Sequence, residues 1–436
     1  MVEKKKELYS KRSSMLKDRS LGEPDWLSEC RRDAMVNFEE LGFPTQHDED
    51  WKYTNLTAVS TKEHVIAEVP NQKLAIDDIN SVGFEEVDAH QVIFLNGRLI
   101  PELSCLEESS LEVGNLLNGQ NNHLVLEHFA KQTDTVGNSL AALNTAFFGD
   151  GIFIHVPDRV IEKKPIHLVF VTIAEQVDQF THPRTLLIAG QDSQATVIES
   201  FVGMGEEPYW TNTVTEIVAA ENARIQHYKL QQEHVKAHHT GFLFVDQARN
   251  SNVTSHSLSF GGRLVRSDAH VRLGGEGCEC TLNGLYAVMG DQHVDHHTTI
   301  EHAQPHCKSN QLYRGVLDGR SKGVFNGKII VRQDAQQTDA VQSNKNLLLS
   351  RKAEINTKPQ LEIDANDVRC THGATIGQID EEAVFYLRSR GIQSEEARSL
   401  LTYAFVADIL ENLQVDGWHE PLEEMLFDWV QQAQVE

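Results

Sequence analysis

The stretch DVRCTHGATIG, residues 367–377, places Cys370 and His372 two positions apart. A thiol and an imidazole this close can ligate a metal, act on a substrate, or fill a core. On a strand, residues i and i+2 point to the same side, with Cα atoms about 6.6–7 Å apart. Side chains at that spacing can converge on one iron or zinc ion, but two ligands do not complete a site. Further ligands must come from neighbouring turns of this chain or from another chain.

The densest set of ligand-type side chains is HVDHHTTIEHAQPHC, residues 293–307. It holds His293, His296, His297, His302, His306 and Cys307, with Asp295 and Glu301. Strand alternation puts His293, Asp295 and His297 on one face. His293, His296 and His297 form the second-choice set of metal ligands. Their competing role is stacked hydrogen bonding between adjacent strands. Cys278 and Cys280 share a strand face with Leu282 and read as small buried side chains. Two further motifs fail in context. GRSKG (319–323) matches G-x-S-x-G, but VFNGKIIV follows it, a strand pattern where a nucleophilic Ser321 needs a helix. GVFNGKI (323–329) has the wrong glycine spacing for a P-loop, and Ile329 follows Lys328. No nucleotide is expected on this chain.

The elements that position these residues divide the chain in three. Residues 1–150 read as mixed and largely helical. EPDWLSECRRDAMVNFEELG (23–42) carries Trp26, Leu27, Ala34, Met35 and Phe38 at helical spacing, with Gly42 at its end. HDEDWKYTNL (47–56) reads as a loop with two large aromatics. HQVIFLNGRLIPEL (90–103) reads as a hairpin turning at NG. DTVGNSLAALNTAFF (134–148) reads as a helix. Residues 151–379 change character: short Val-, Ile- and Thr-rich runs alternate with Gly, Asn and Asp clusters. Phe244, Val271 and Thr298 lie 27 apart. ARIQHYKL (223–230), SNVTSHSL (251–258) and CECTLNGL (278–285) recur at a similar period, out of phase with them. Strand pairs at such a period predict a solenoid, a parallel β-helix first and a β-sandwich second. Residues 380–436 return to helix. Ser394 suits a cap, followed by Glu395 and Glu396 in the first turn. Ala397, Leu401, Phe405, Ile409 and Leu413 follow at i+4, with Leu400 and Ala404 beside them. EPLEEMLFDWVQQAQ (420–434) forms a second amphipathic piece. These helices pack on each other or on the solenoid, or part of their surface docks a partner.

Composition narrows the function. The net charge of −25, from 39 basic and 64 acidic residues, repels nucleic acid, and the only basic run is KKK at 4–6. The N-terminal residues are basic without the apolar core of a signal peptide. No apolar run approaches the length of a membrane span. Six sparse cysteines, with no CxxC pair, fit a cytoplasmic protein with reduced thiols.

Several long strings together resemble one family. They are DWKYTNL (50–56), QLYRGVLDGRSKGVFNGKIIV (311–331), AQQTDAVQSNKNLLLS (335–350), PQLEIDANDVRCTHGATIGQID (359–380) and FYLRSRGI (385–392). They resemble the SufB/SufD family of iron–sulfur cluster assembly proteins. The chain length, the DWKYTNL entry and the lack of a CxxCxxxC motif look like the SufD type within it. The resemblance implies a mostly β fold, a right-handed parallel β-helix core between helical regions. It implies a scaffold subunit rather than an enzyme, pairing with a SufB-type paralogue as a heterodimer and with a SufC-type ABC ATPase. The same paralogy leaves a homodimer open to the isolated chain. It implies a nascent iron–sulfur cluster or iron, transient and shared with the partner. His372 occupies the family's assembly histidine at that interface, and Cys370 the position where the SufB type carries an important cysteine. Ala397, Leu400, Leu401, Ala404 and Phe405 fall in the part that docks the ATPase. Two other classes compete. A carbohydrate-active enzyme on a β-helix predicts export and a surface cleft with acidic and basic catalytic residues. A stand-alone metal-binding protein predicts metal uptake by the isolated chain through the 293–307 cluster.

Overall fold

The computed structural model describes residues 23–70, 87–106 and 109–433. The basic run at 4–6 lies outside the described residues. Two long sheets wind around each other as a parallel β-helix of about eight turns. Sheet A runs from Glu112–Asn115 through Gly151–Val156, Arg184–Ala189, Tyr209–Ala219, His238–Gln247, Leu264–Leu273, His293–His302 and Lys322–Val331 to Glu354–Ile363. Sheet B runs from Arg98–Leu99 and His90–Leu95 through Ile166–Ile173, Gln194–Met204, Arg224–Gln232, Asn252–Ser259, Glu279–Val288, Lys308–Leu317 and Thr338–Leu348 to Val368–Gly377. The ladders are parallel except at the N-terminal end, where Glu112–Asn115 and Arg98–Leu99 each pair antiparallel. Among its described residues the N-terminal region is mixed and largely helical, as its sequence suggests, and it also supplies strands to both sheets.

The repeat has no fixed length. Trp210 pairs with His238, His238 with Leu264, Leu264 with His293, and Lys322 with Glu354, steps that range from 26 to 32 residues. The strands stay in register while the turns between them change length. This corrects the alignment of Phe244 with Val271. Phe244 pairs with His270, and Val271 with Val245 and Ile300. A slip of one residue reverses the face. Phe244 accordingly packs outward under the N-terminal region, while Val271 joins the interior. The second series aligns as expected, with Arg224, Asn252 and Glu279 in one row.

Both outer faces are covered, which explains why strand after strand is buried on both sides. Phe38, Phe43, Trp51 and Leu56 pack on sheet A against Trp210, Phe242, Phe244 and Leu264. Val406, Ile409, Trp418, Leu422 and Leu426 pack on sheet B against Tyr228, Leu230, Leu258, Leu285 and Val316. The helix Asp25–Leu41 buries Leu27, Ala34, Met35 and Phe38 and ends at Gly42, whose φ is positive. It also buries Arg31, which donates to the Ala146 and Phe148 carbonyls at 2.8 and 3.1 Å. The expected helix over 134–148 is two, Lys131–Val136 and Ser139–Phe147. Gly137 is left-handed between them, and the Asn138 side chain caps the second by accepting from Leu140 and Ala141. Asn96 and Gly97 both take positive φ and close the hairpin as NG predicts.

Several histidines are buried and neutral, on both faces of the sheets. Burial lowers His167, His256 and His302 to about 4, and His296 to about 3. An unfolded histidine titrates near 6.5, so below that pH the unfolded chain binds more protons than the folded one. Their stabilisation is complete above about 6.5 and is lost as pH falls towards 4. The urea midpoint is expected to fall steadily between pH 7 and pH 5, which equilibrium unfolding across that range measures. A flat profile would show that these rings titrate alike in the folded and unfolded chains.

Candidate functional site

Cys370 and His372 lie on Val368–Gly377, the last strand of sheet B. The ladders extend two interior columns to this end. His227, Ser255, Leu282, Gln311, Gln342 and His372 share one row across successive turns. Ile225, Val253, Cys280, Ser309, Ala340 and Cys370 share the next. The two residues therefore face the same side, as their spacing predicts, and that side is the mouth of the solenoid. Their surroundings differ. Cys370 is half-buried and packs with Leu361 and Val368 on Ile329, Val331 and Ala340. Burial, with Asp339 nearby, raises its thiol pKa. His372 is exposed, above a row whose last closed members, Gln311 and Gln342, are hydrogen-bonded to each other at 2.9 Å. No further strand pairs with Glu354–Ile363 or Val368–Gly377 among the described residues, so both end strands present a free edge. Among the described residues no group of three or more His, Cys, Asp or Glu converges as a metal site. Within this chain, Cys370 and His372 are two donor-type side chains on one strand face.

The 293–307 cluster is divided between opposite faces. His293, Asp295 and His297 point outward, and His296 and His302 point inward. Asp295 accepts from Thr54 and from Arg266, the latter at 2.7 Å, and pairs with His297 at 3.1 Å. The Thr54 hydroxyl also bonds the His293 ring at 2.9 Å. Arg266 chelates Asp268 at 2.8 and 2.9 Å, donates to the Asp50 carbonyl at 2.7 Å, and lies 4.1 Å from the centre of the Trp51 ring. Burial opposes the Asp295 charge, but Arg266, His297 and Thr54 outweigh it and hold the carboxyl well below the usual carboxylate range. These groups latch the DWKYTNL loop onto sheet A. Inside, His296 stacks on Tyr286 at 5.2 Å, and His302 bonds Ser309 at 2.9 Å. The set His293, His296 and His297 is thus corrected: alternation sends His296 to the opposite side from the other two. Arg266 and Asp268 escaped the sequence reading because they lie on a different strand from the cluster they complete.

The C-terminal helices are Glu381–Ser389, Ser394–Leu410 and His419–Ala433. Ser394 is the first helical residue, and Gln393 precedes it as the cap position without a side-chain bond. The five-residue i+4 stripe is not one face. Each step of four drifts about 40° around a helix, so its ends diverge. Ala397 is fully buried and offers nothing to a partner. Leu401 and Phe405 are half-buried, with Arg314 5.7 Å from the Phe405 ring and paired with Asp408. Leu400, at 36% exposure, and Ala404 face solvent. Phe385 and Tyr386, on the preceding helix, are 72% and 57% exposed. The sequence reading had included their string, FYLRSRGI, without singling them out as surface.

Comparison with known proteins agrees with this architecture. Residues 170–405 match the family model described as SUF system FeS cluster assembly, SufBD core domain, and residues 2–168 match the SufBD protein N-terminal region. The iron–sulfur cluster assembly protein SufD of Escherichia coli is 33% identical over 86% of this chain and 86% of its own length. An iron–sulfur cluster assembly SufBD family protein of Synechocystis is 33% identical over 88% of this chain and 86% of its own. SufD of Bacillus subtilis is 25% identical over 91% and 92%. No helix among the described residues is long and apolar enough to cross a membrane. With a β-helix mouth bearing Cys370 and His372, and matches that span both its regions, this chain belongs to the SufBD family of iron–sulfur cluster assembly proteins.

Proposed function

We propose that the chain is a non-catalytic scaffold subunit of a SUF assembly complex. It pairs with a SufB-type paralogue and a SufC-type ABC ATPase, and supports iron entry and nascent cluster formation at the subunit interface. The observation that carries this reading is the open last turn, where Cys370 and His372 sit on one of two ten-residue end strands, each with one edge free among the described residues. A second solenoid can extend either sheet across this end through backbone hydrogen bonds. Its side chains then complete the ligand set that two donors leave open. A neutral His372 nitrogen suits iron, and thiolates suit the cluster. Iron and sulfide are cargo here. The ATPase would dock on the exposed residues Phe385, Tyr386, Leu400 and Ala404 of the two helices that follow the mouth strand in the chain. All six cysteines are free, which fits a reducing cytoplasm.

The test is co-expression with both partners and anaerobic purification of wild type and His372→Ala. The expected outcome is an intact complex whose iron and acid-labile sulfide fall about tenfold or more. An intact mutant complex with full iron and sulfide would make His372 a structural residue.

A further inference from the structure

One interior corner brings two thiols together. Cys278 and Cys307 each sit one residue ahead of the ladder pair Glu279 and Lys308, in adjoining turns of sheet B. Lateral neighbours in a parallel ladder have Cα atoms about 4.8 Å apart, inside the range a disulfide spans. Both sulfurs contact the same carbonyl oxygen, that of Gly275, at 3.1 and 3.3 Å. They are also within hydrogen-bonding reach of each other.

The corner itself does not need sulfur. One turn before, Ser251 bonds the carbonyl three residues back at 2.7 Å, and one turn after, Thr338 does the same at 2.9 Å. Cys278 makes the equivalent contact to Gly275. A thiol is a weaker donor than a hydroxyl. Two successive thiols in this column therefore weaken the corner bond; Cys278 also reaches the Ala248 carbonyl at 3.0 Å, and the two sulfurs reach each other. The pair is buried, yet it lies directly beneath loops whose Glu276 and His306 are exposed, so a small reagent has one layer of chain to pass.

We propose that Cys278 and Cys307 are a redox-active dithiol that closes to a cross-turn disulfide when a small peroxide reaches it. One sulfur attacks the peroxide O–O bond, becomes a sulfenic acid and releases water. The second sulfur attacks the first, the S–O bond breaks, and a second water leaves. Two thiols and one hydrogen peroxide thus give one disulfide and two waters, with two electrons passing from sulfur to oxygen. This assignment is independent of the reading of the solenoid mouth.

The full chain is treated with hydrogen peroxide, denatured, alkylated and digested for mass spectrometry, with the exposed Cys105 as internal control for the reagent. The expected result is a linked Cys278–Cys307 peptide that dithiothreitol abolishes, together with a raised thermal midpoint. C278S and C307S are expected to fold, because serine already fills this corner at 251, and to yield no linked peptide. The proposal falls if both thiols are fully alkylated under conditions that oxidise Cys105. It falls equally if they are recovered as separate sulfinic acids.

Discussion

Arg266→Ala is expected to destabilise the protein by about 3–5 kcal/mol, because it strands two buried carboxylates. Arg266, Asp268 and Asp295 are all nearly inaccessible to water. The guanidinium is the positive member of that set, holds the Asp50 carbonyl, and supports the Trp51 ring. Without it the loop at 47–56 loses its anchor, so cleavage there by a protease should accelerate along with the drop in urea midpoint. Arg266→Lys is expected to recover little. An ammonium cannot span Asp268 in two bonds while reaching Asp295 and a carbonyl. The pH dependence follows from Asp295, whose folded carboxyl is held below the ordinary value. Such a group stabilises the fold above its unfolded pKa of about 3.9, and the contribution is lost as pH falls below it. The gap between wild type and Arg266→Ala should therefore be full at pH 7 and shrink below about pH 4. A variant of wild-type midpoint and wild-type proteolysis would mean that the latch contributes nothing.

Gly315→Ala is expected to cost about 3 kcal/mol or more through overpacking. Two tyrosines and two glycines interlock between adjacent turns. Tyr286 pairs with Gly315, and Gly284 pairs with Tyr313. A Cβ on Gly315 would stand 2.2 Å from the Tyr286 ring and 2.5 Å from the Asn346 oxygen. A Cβ on Gly284 would stand 2.1 Å from the Tyr313 ring. The rings cannot retreat. Tyr286 donates to Asn346 at 2.5 Å and accepts from Asn344 at 3.1 Å, and Tyr313 packs on Phe325 at 4.9 Å. Gly373→Ala is the control, since a Cβ there meets nothing within 4 Å; its cost should stay below about 1 kcal/mol. Urea unfolding of the three proteins separates the cases, and equal midpoints for Gly315→Ala and Gly373→Ala would sink the argument. Part of the string QLYRGVLDGRSKG thus has a packing reason: its first glycine makes room for a tyrosine in the turn before.

Local pattern in the sequence was enough for what depends on one element at a time. Period-two alternation placed Cys370 with His372, and His293 with Asp295 and His297. Helical spacing found Asp25–Leu41, and the NG turn found the hairpin after Leu95. Long matching strings pointed to the family. The tertiary structure alone decided what depends on two turns at once. Turn lengths vary, so a fixed period misaligned Phe244 with Val271 by one residue. Both faces of the sheets are buried, so hydrophobicity did not say which side is interior. The acidic and histidine cluster became a latch only because Arg266, a turn away, and Thr54, from the N-terminal loop, meet it. The helix after Gln393 showed its exposed face only once packed on sheet B. Periodicity reports the direction of a side chain along its own strand or helix. Its partner in the next turn is chosen by the lengths of the turns between them, and those lengths leave no mark on the periodicity.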